Sequence, residues 1–478
     1  MDLPAAGSGA HVETNGSAYR IILRLATPTM IAMLSQSVVN EIDIVFFAHL
    51  PCPESSNGQA ALAPSLIALW AFGGSLSAIS VGTQALTARR VAEGKRHDAG
   101  AVLTNASFFA LVAGVLFSIV GYLLLSPMMH AMVKNPEAVG YAISYSQYRF
   151  LGIVSMAMTF AFKAFFDGLG RTRVHMVSAI VMNIANVVLC WVLIFGHLGS
   201  PHMGPPGAGL AALLSTWIGL GIMILYGAKK EYRAAYAWMD RKKLSWPLTW
   251  QILRLAIPGG VATMAVMVGF AFFLFVVGKL DAYTGGGTTV AGACGATEAV
   301  NGAATTAIIG VLKLTFTACL AFGTATATLV SQSLGEKNPE KAAHFGWASV
   351  RLGFVLFGVL GLCEGVFFTP QILRFVSHSE AVQHAALVPM RLMGMTTPII
   401  AIAMILTQAL FGAGNNRFVM IVELILHFTC LMPLAWLFGI TFHTGLPGIW
   451  GSAIIYAVGL AGAMMWKFAG GTWKTTKI

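Results

Sequence analysis

Charge is scarce in this sequence. Asp, Glu, Lys and Arg together supply 10% of its 478 residues, against about 25% in a soluble globular domain. A water-facing surface for so long a chain cannot be built from so few charges, which excludes a soluble enzyme, and the mean hydropathy of +0.76 agrees. No alternating apolar and polar segments of strand length occur, which excludes a β-barrel. The catalytic motifs GxxxxGK[ST], HExxH and GxSxG are absent, and the 12 histidines are scattered, so neither nucleotide hydrolysis nor a zinc or serine hydrolase has a signature here. The six cysteines (52, 190, 294, 319, 363 and 430) form no CxxC, and most lie inside apolar runs, where they read as packing residues. Cys52 and Cys294 fall in loops on one side, and whether they pair stays open. Residues 1–19 are polar and small and read as a short tail rather than a cleavable signal.

Aromatic and sulfur-bearing residues are abundant instead: 30 Phe, 11 Trp and 23 Met exclude disorder. Apolar runs of membrane-spanning length recur along the whole chain. A span needs roughly 20 residues at 1.5 Å each to cross about 30 Å of hydrocarbon. Twelve such spans are expected, at about 21–49, 60–88, 102–127, 142–166, 174–196, 207–227, 250–279, 302–332, 344–368, 388–412, 418–439 and 449–470. The fold class is therefore an all-α polytopic membrane protein. The net charge of +11 comes from 29 basic and 18 acidic residues, and it sits in the loops between spans rather than in a nucleic-acid-binding surface. With both termini on one side, that side holds 22 of the 29 basic residues, the opposite loops three and the spans four. Such asymmetry predicts a multi-pass protein of the plasma (inner) membrane with both termini in the cytoplasm.

The chain also repeats itself. Arg24-Leu-Ala-Thr-Pro28 recurs as Arg254-Leu-Ala-Ile-Pro258, an offset of 230. Gly82-Thr-Gln-Ala-Leu-Thr87 recurs as Gly323-Thr-Ala-Thr-Ala-Thr328 at 241, and Asp167-Gly-Leu-Gly-Arg-Thr-Arg173 recurs as Phe411-Gly-Ala-Gly-Asn-Asn-Arg417 at 244. The larger later offset implies a longer loop, the Gly- and Thr-rich stretch Asp281 to Ala296. Corresponding points are six spans apart, and an even number keeps the halves in the same orientation. They are parallel repeats. The expected organisation is an N-terminal tail over 1–20, an N-lobe over 21–227, a basic linker over 228–249, a C-lobe over 250–470 and a tail over 471–478. Two six-helix bundles joined by one basic linker suit a transporter that rocks about residues 229–243.

These repeated segments resemble the MATE family, the multidrug and toxic compound extrusion transporters. The resemblance is carried by Ala26-Thr-Pro28 with Asp43 fifteen residues later, the Gly-Thr…Gly endings of spans 2 and 8, the two turns after spans 4 and 10, and Asn186 through Ile194-Phe-Gly196. It runs from about Arg24 to Trp466 and implies a V-shaped two-lobe fold. It also implies a cation-driven antiporter that needs no ATP and expels small amphipathic, often cationic, organic compounds. Protons are favoured over sodium as the coupling ion, no cofactor is expected, and a monomer in the lipid bilayer is expected.

Charges inside a bilayer cost roughly 2.5–3.5 kcal/mol on insertion scales. Lys163 and Glu423 near one end, and Arg149, Glu364 and Arg391 near the other, are expected to snorkel to the interface. Gln36, Asn40 and Asp43, at i, i+4 and i+7, share one face of span 1 and read as a polar stripe facing a cavity or partner helix. A carboxylate there exchanges a proton or ligates Na⁺, and the resemblance gives Asp43 the coupling role. Glu41, a further coupling candidate, lies about 200° around the helix from Asp43 and either joins a different face or reaches the headgroups. Asn183, Asn186 and Cys190 share one face of span 5, and Asn186 matches a family asparagine that would join Asp43 around a Na⁺ ion. Cys190 stands where some members carry a second carboxylate, and Ala212 where a threonine is expected, which leaves few hard oxygen ligands and tilts the reading to protons. In the second half the mate of Asp43 is Phe273, so coupling is expected in the first half alone. Lys313, deep in span 8, has three readings: it neutralises Glu298 or another acid, it is an oddity of packing, or it attracts an anionic substrate. Met33 and Phe273, with Met30, Met267, Phe270 and Phe272, are candidates for an adaptable apolar cavity, with Asn183, Cys190 and Lys313 as further candidates for its lining. Pro28 and Pro258 are candidate kinks.

Two other readings remain. One keeps the transporter and changes the cargo to a lipid-linked or anionic substrate, with Lys313 meeting its phosphate. The other is a polytopic membrane enzyme, for which no clustered acid pair or nucleophile is found.

Overall fold

The computed structural model describes residues 15–476 except 53, 134, 284–288, 292–296 and 378. The side chains of 15–17, 39–41, 63, 241, 283, 289–291 and 297–298 also lie outside the described set. Each apolar run is helical, because a backbone out of water must satisfy its own N–H and C=O groups. The first half comprises α1 (Asn15–Ala48), α2 (Glu54–Phe72), α3 (Ile79–Ala92), α4 (Arg96–Met132), α5 (Pro136–Leu151), α6 (Ile153–Gly168), α7 (Thr172–Phe195) and α8 (Pro205–Gly227). The short α9 (Lys230–Tyr236) leads to the second half: α10 (Trp246–Tyr283), α11 (Val300–Gly335), α12 (Pro339–Leu362), α13 (Thr369–Val376), α14 (Glu380–Gly412), α15 (Asn416–Leu426), α16 (Met432–Trp436) and α17 (Gly445–Ala469). Local signals set the ends. Asn135 and Asn338 accept from backbone N–H groups in the first turns of α5 and α12, each followed by proline at the first helical position. Gly196 ends α7 at φ 73°.

Among the described residues ten helical stretches are long and apolar enough to cross a membrane, and two bent pairs, α2–α3 and α5–α6, each counted as one span, bring the number to twelve. Each pair is bent by 44°. The first bend falls at Gly73-Gly74 and a 3-10 turn, the second at Gly152, where the backbone lacks a side chain to hold it helical. Spans 2 and 4 of the expected twelve are thus broken. The 38 residues of α10 run about 57 Å, well beyond a hydrocarbon core of about 30 Å. In the loop after α10, Thr289–Ala291 pairs antiparallel with Thr297–Ala299 as a two-stranded ribbon.

Most buried residues form cores within one half. Leu86, Val102 and Phe150 belong to one, Phe47, Cys190 and Ala208 to a second, and Phe165 and Trp238 to a third, all in the first half or its linker. Phe273, Leu312, Met390 and Trp450 form a core of the second half. Two helices change sides. The start of α1, with Ala18, Ile22 and Ala26, is buried among Phe322, Leu406 and Phe468 of the second half, whereas its end, with Phe47, packs in the first. The start of α10, with Ile252 and Leu255, is buried in the first half, and its later part in the second. Gly82 makes that crossing possible, since an added Cβ would stand 2.5 Å from the Ile252 carbonyl oxygen. The repeat has built the same exchange twice.

Three expectations about the segments outside the bundles need correction. The N-terminal tail does not extend to residue 20, because α1 begins at Asn15 and Ala18 is fully buried. The basic linker is not a free hinge. Trp238 is 5% exposed, stands edge-on to Phe162 at 5.3 Å, and donates Nε1–H to the Gly227 carbonyl at 2.7 Å. Asn105 of α4 then donates to the Lys243 carbonyl at 2.9 Å and accepts from the Ser245 N–H at 2.9 Å. The linker is fastened to the first half. The C-terminal tail is also docked: Trp473 is fully buried and stacks on Phe468 at 4.5 Å. Cys52 is disulfide-bonded, while Cys190, Cys319, Cys363 and Cys430 are free. Cys294 lies outside the described residues.

Hydrogen bonds tie the halves together at the end that carries the basic loops. Gln84 Nε2 donates to the Thr324 carbonyl at 2.9 Å and to Thr328 Oγ1 at 2.8 Å. Ser331 donates to the Ala85 carbonyl at 2.7 Å, and Gln332 to the Gly168 carbonyl at 3.0 Å. Arg89 of α3 donates to the Thr476 carbonyl at 3.1 Å.

Candidate functional site

Asp43 stands in the last two turns of α1, half-buried against α5 and α7. The Tyr145 hydroxyl donates to its Oδ2 at 3.4 Å, and the Cys190 thiol to its Oδ1 at 3.7 Å. Cys190 Sγ also lies 3.8 Å from Asn186 Oδ1, and Asn186 Nδ2 donates to Ser215 Oγ of α8 at 3.3 Å. Toward the middle of α1, Asn183 Nδ2 donates to Ser35 Oγ at 2.8 Å. A polar seam thus runs between α1 and α7 and ends at one carboxyl group. The spacing on α7 explains it: Asn183, Asn186 and Cys190 share one face and are 6%, 7% and 0% exposed, while Ile184 and Val188 on the other face are exposed. Tyr145 is held by Phe47, edge-on at 6.4 Å, and the Arg149 guanidinium lies 5.9 Å from its ring centre.

The seam includes four of the sequence candidates, Asp43, Asn183, Asn186 and Cys190. Gln36 is exposed, and α1 presents Ser35 to α7 instead. Asn40 and Glu41 have side chains outside the described set. Met33 is half-buried on α1 and Lys313 half-buried on α11, while the Glu298 side chain lies outside the described set. Two cavity candidates are corrected. Cys190 is fully buried against Asp43 rather than lining open space, and Phe273 is 4% exposed and packs edge-on to Trp450 at 5.1 Å, inside the second-half core. Pro28 and Pro258 are both buried within continuous helices.

Two carboxyl groups expected to snorkel are buried instead. Glu364 and Glu423 are each 8% exposed, and Glu364 accepts from Thr315 Oγ1 at 2.6 Å. Asp167, the Asp of the turn after span 4, is 2% exposed, with His175 Nδ1 3.7 Å from its Oδ1. The sequence reading passed over Tyr145. Its signal was a tyrosine one turn before an arginine, Arg149, inside an apolar span.

Comparison with known proteins decides what this architecture is. The MatE family model matches residues 28–192 and 258–437, once in each half. The chain belongs to the MatE family. Asp43, Tyr145 and Asn186 lie in the first matched segment of this MatE protein, and Lys313, Glu364 and Glu423 in the second. Among its relatives, a probable multidrug resistance protein NorM of Thermotoga maritima is 25% identical over 467 residues, covering 95% of this chain and 92% of the relative. The multidrug resistance protein PmpM of Pseudomonas aeruginosa is 26% identical over 469 residues, covering 92% and 88%. In structure, a MOP-superfamily transporter from Pyrococcus furiosus, described as having a binding pocket of reversed polarity that suggests a different function, superposes with a TM-score of 0.84 at 21% identity, over 96% of this chain and 97% of that one. A MATE structure in a bent conformation superposes with a TM-score of 0.81 over 96% and 95%, and one in a straight conformation with the same score over 95% of each chain, both at 21% identity. The twelve-span, two-half fold is that of MATE transporters, and the protein is a multi-pass membrane transporter of that family.

Proposed function

We propose that this MatE protein is a secondary antiporter that exports small amphipathic, often cationic, organic compounds in exchange for protons. Asp43 is the coupling group in this reading. One observation carries it: a half-buried carboxyl group ends the polar seam between α1 and α7, in contact with a hydroxyl and a thiol. Burial favours the protonated form of a carboxyl group, and contact with water or a cation favours the ionised form. Asp43 can therefore load a proton in one state of the transporter and release it in another. The groups around it support protons over Na⁺, since beside the Tyr145 hydroxyl and the Asn186 amide oxygen stands a thiol, a soft group where Na⁺ wants a further hard oxygen. The names of NorM and PmpM support a multidrug cargo, and their bacterial hosts a plasma-membrane location. The basic loops support cytoplasmic termini. In this topology the bonds between the halves close the cytoplasmic end, and alternating access requires them to break.

The test is export of a cationic dye from vesicles under an imposed pH gradient and, separately, a Na⁺ gradient, with protein amount checked in the same membranes. Asp43→Asn keeps the size and loses the titratable charge, so proton-driven export should stop while the protein stays folded. Wild-type rates in that variant would refute the assignment. A second reading, an anionic or lipid-linked cargo, rests on Lys313 within α11. In that case Lys313→Ala should abolish export of an anionic dye and spare a cationic one.

A further inference from the structure

The turn between α14 and α15 opens onto a cavity of about 510 Å³ at the basic end of the second half, lined by Gln251, Arg254, Asn415, Asn416, Arg417 and Thr476 among others. We propose that this cavity binds a phosphate-bearing ligand between Arg254 and Arg417, apart from the coupling site at Asp43. The two guanidinium groups come from separate helices, and among the described residues the lining contains no carboxylate. Two cations facing one concavity repel unless an anion sits between them, and arginine matches phosphate oxygens with paired N–H donors. The turn adds backbone donors. Gly414 at φ 83° reverses the chain into the eleven-residue α15, whose N-cap Asn415 makes no side-chain cap bond, so N–H groups of its first turn remain for a ligand. Asn416 donates Nδ2–H to the Leu255 carbonyl at 2.5 Å and leaves Oδ1 without a donor among the described residues. A ligand carrying a hydroxyl beside its phosphate supplies one. The volume falls within the range of about 300–1,000 Å³ usual for small-molecule sites.

The equivalent turn in the first half, Gly168 to Arg173, is engaged by the other half: Gln332 donates to the Gly168 carbonyl, and both Gln332 and Leu25 stand beside Gly170. Arg24 and Arg173 are the repeat mates of Arg254 and Arg417. Thr476, on the rim of the cavity, also accepts from Arg89 of the first half. An occupant therefore sits beside one of the bonds that hold the basic end shut. The chemistry fits a glycerophospholipid headgroup at the membrane surface or a soluble phosphate ester.

The experiment distinguishes these sources. The full chain in phosphatidylcholine nanodiscs, with and without phosphatidylglycerol, is released for native mass spectrometry to count retained phosphatidylglycerol. Detergent-purified protein is titrated with sn-glycerol 3-phosphate and with inorganic phosphate. Arg254 and Arg417 are exposed, so Arg254→Gln/Arg417→Gln should fold. It should weaken binding of the retained probe at least tenfold, with Arg417→Gln alone intermediate. The charge-matched pair Lys229→Gln/Lys230→Gln should leave binding unchanged. Retention of phosphatidylglycerol lost only in the arginine variants assigns a lipid. Binding of a soluble probe lost only in those variants assigns a soluble phosphate ester. Equal binding of every probe by wild type and the arginine pair, or equal loss in the lysine pair, overturns the proposal.

Discussion

The Tyr145 hydroxyl and the Asp43 carboxylate stand 3.4 Å apart, longer than a well-formed O–H···O bond of about 2.7–2.8 Å. The Cys190 thiol on the other oxygen is at 3.7 Å. Both are long, weak contacts to a group that must exchange its proton. Tyr145→Phe should keep the fold, because the ring retains its edge-on contact with Phe47. Proton-driven export should slow by about three- to tenfold, in line with about 0.5–1.5 kcal/mol for one hydrogen bond. Initial export rates in vesicles check this. An unchanged rate would mean that the hydroxyl is idle, and complete loss would make Tyr145 an obligatory proton relay.

Trp473 carries the next prediction. It is fully buried, stacks on Phe468 and donates Nε1–H to the Phe468 carbonyl at 2.7 Å. Trp473→Ala removes a large aromatic from a packed site, which costs roughly 3–5 kcal/mol. It also frees the segment that brings the Thr476 carbonyl to Arg89. The detergent-solubilised variant should melt several degrees below wild type. An unchanged melting temperature would show that the C-terminal segment contributes nothing to the second-half core.

How much of this was legible in the sequence depends on how far apart the partners lie. The spans follow from apolar runs, and the breaks at Gly73-Gly74 and Gly152 fall where glycine interrupts them. Asp43, Asn186 and Cys190 are visible because helical spacing puts polar residues on one face. Tyr145 is harder to find, since its partner is 102 residues away and its one local mark is Arg149 a turn later. Phe273 was misplaced because a phenylalanine in an apolar span faces lipid, cavity or core with the same periodicity. The crossing of α1 rests on Ala18 and Ala26, small residues that look alike in either half. Trp238 and Trp473 each dock a short polar segment, but residue type alone does not single them out, since Trp246 of the same linker is 71% exposed.

Gln84 is the group that bridges the halves most directly, with one amide donating to the Thr324 carbonyl and to Thr328 Oγ1. It is 8% exposed, so losing these bonds is not made good by water. Gln84→Ala should weaken the closure by about 1–3 kcal/mol, the cost of leaving buried polar groups unpaired. Spin labels at position 90, in the last turn of α3, and position 337, in the turn after α11, should show a larger fraction of long distances in the variant. A distribution identical to wild type would mean that the remaining bonds, such as Ser331 to Ala85, suffice.

The last prediction concerns where the molecule bends. The linker from Trp238 to Ser245 is fastened to α4 and α6, and Thr249 donates to Asn105 Oδ1 at 3.0 Å. Ile252 and Leu255 lie in the first-half core, and Phe273 lies in the second. A rocking motion between the halves therefore cannot be taken up at residues 229–243. It has to fall inside α10, between Leu255 and Phe273, where Pro258-Gly259-Gly260 is the weakest stretch of helix. Proline removes one backbone donor, and each glycine costs roughly 1 kcal/mol in a helix interior. Pro28 in α1 is placed differently, because Met30 and Leu34 beyond it still pack on the second-half core. Pro258→Ala should thus slow export more than Pro28→Ala, while raising the melting temperature by stiffening α10. Distances between labels at 98 and 243 should stay constant across pH and substrate, and those between 243 and 417 should change. A varying 98–243 distance would return the hinge to the linker.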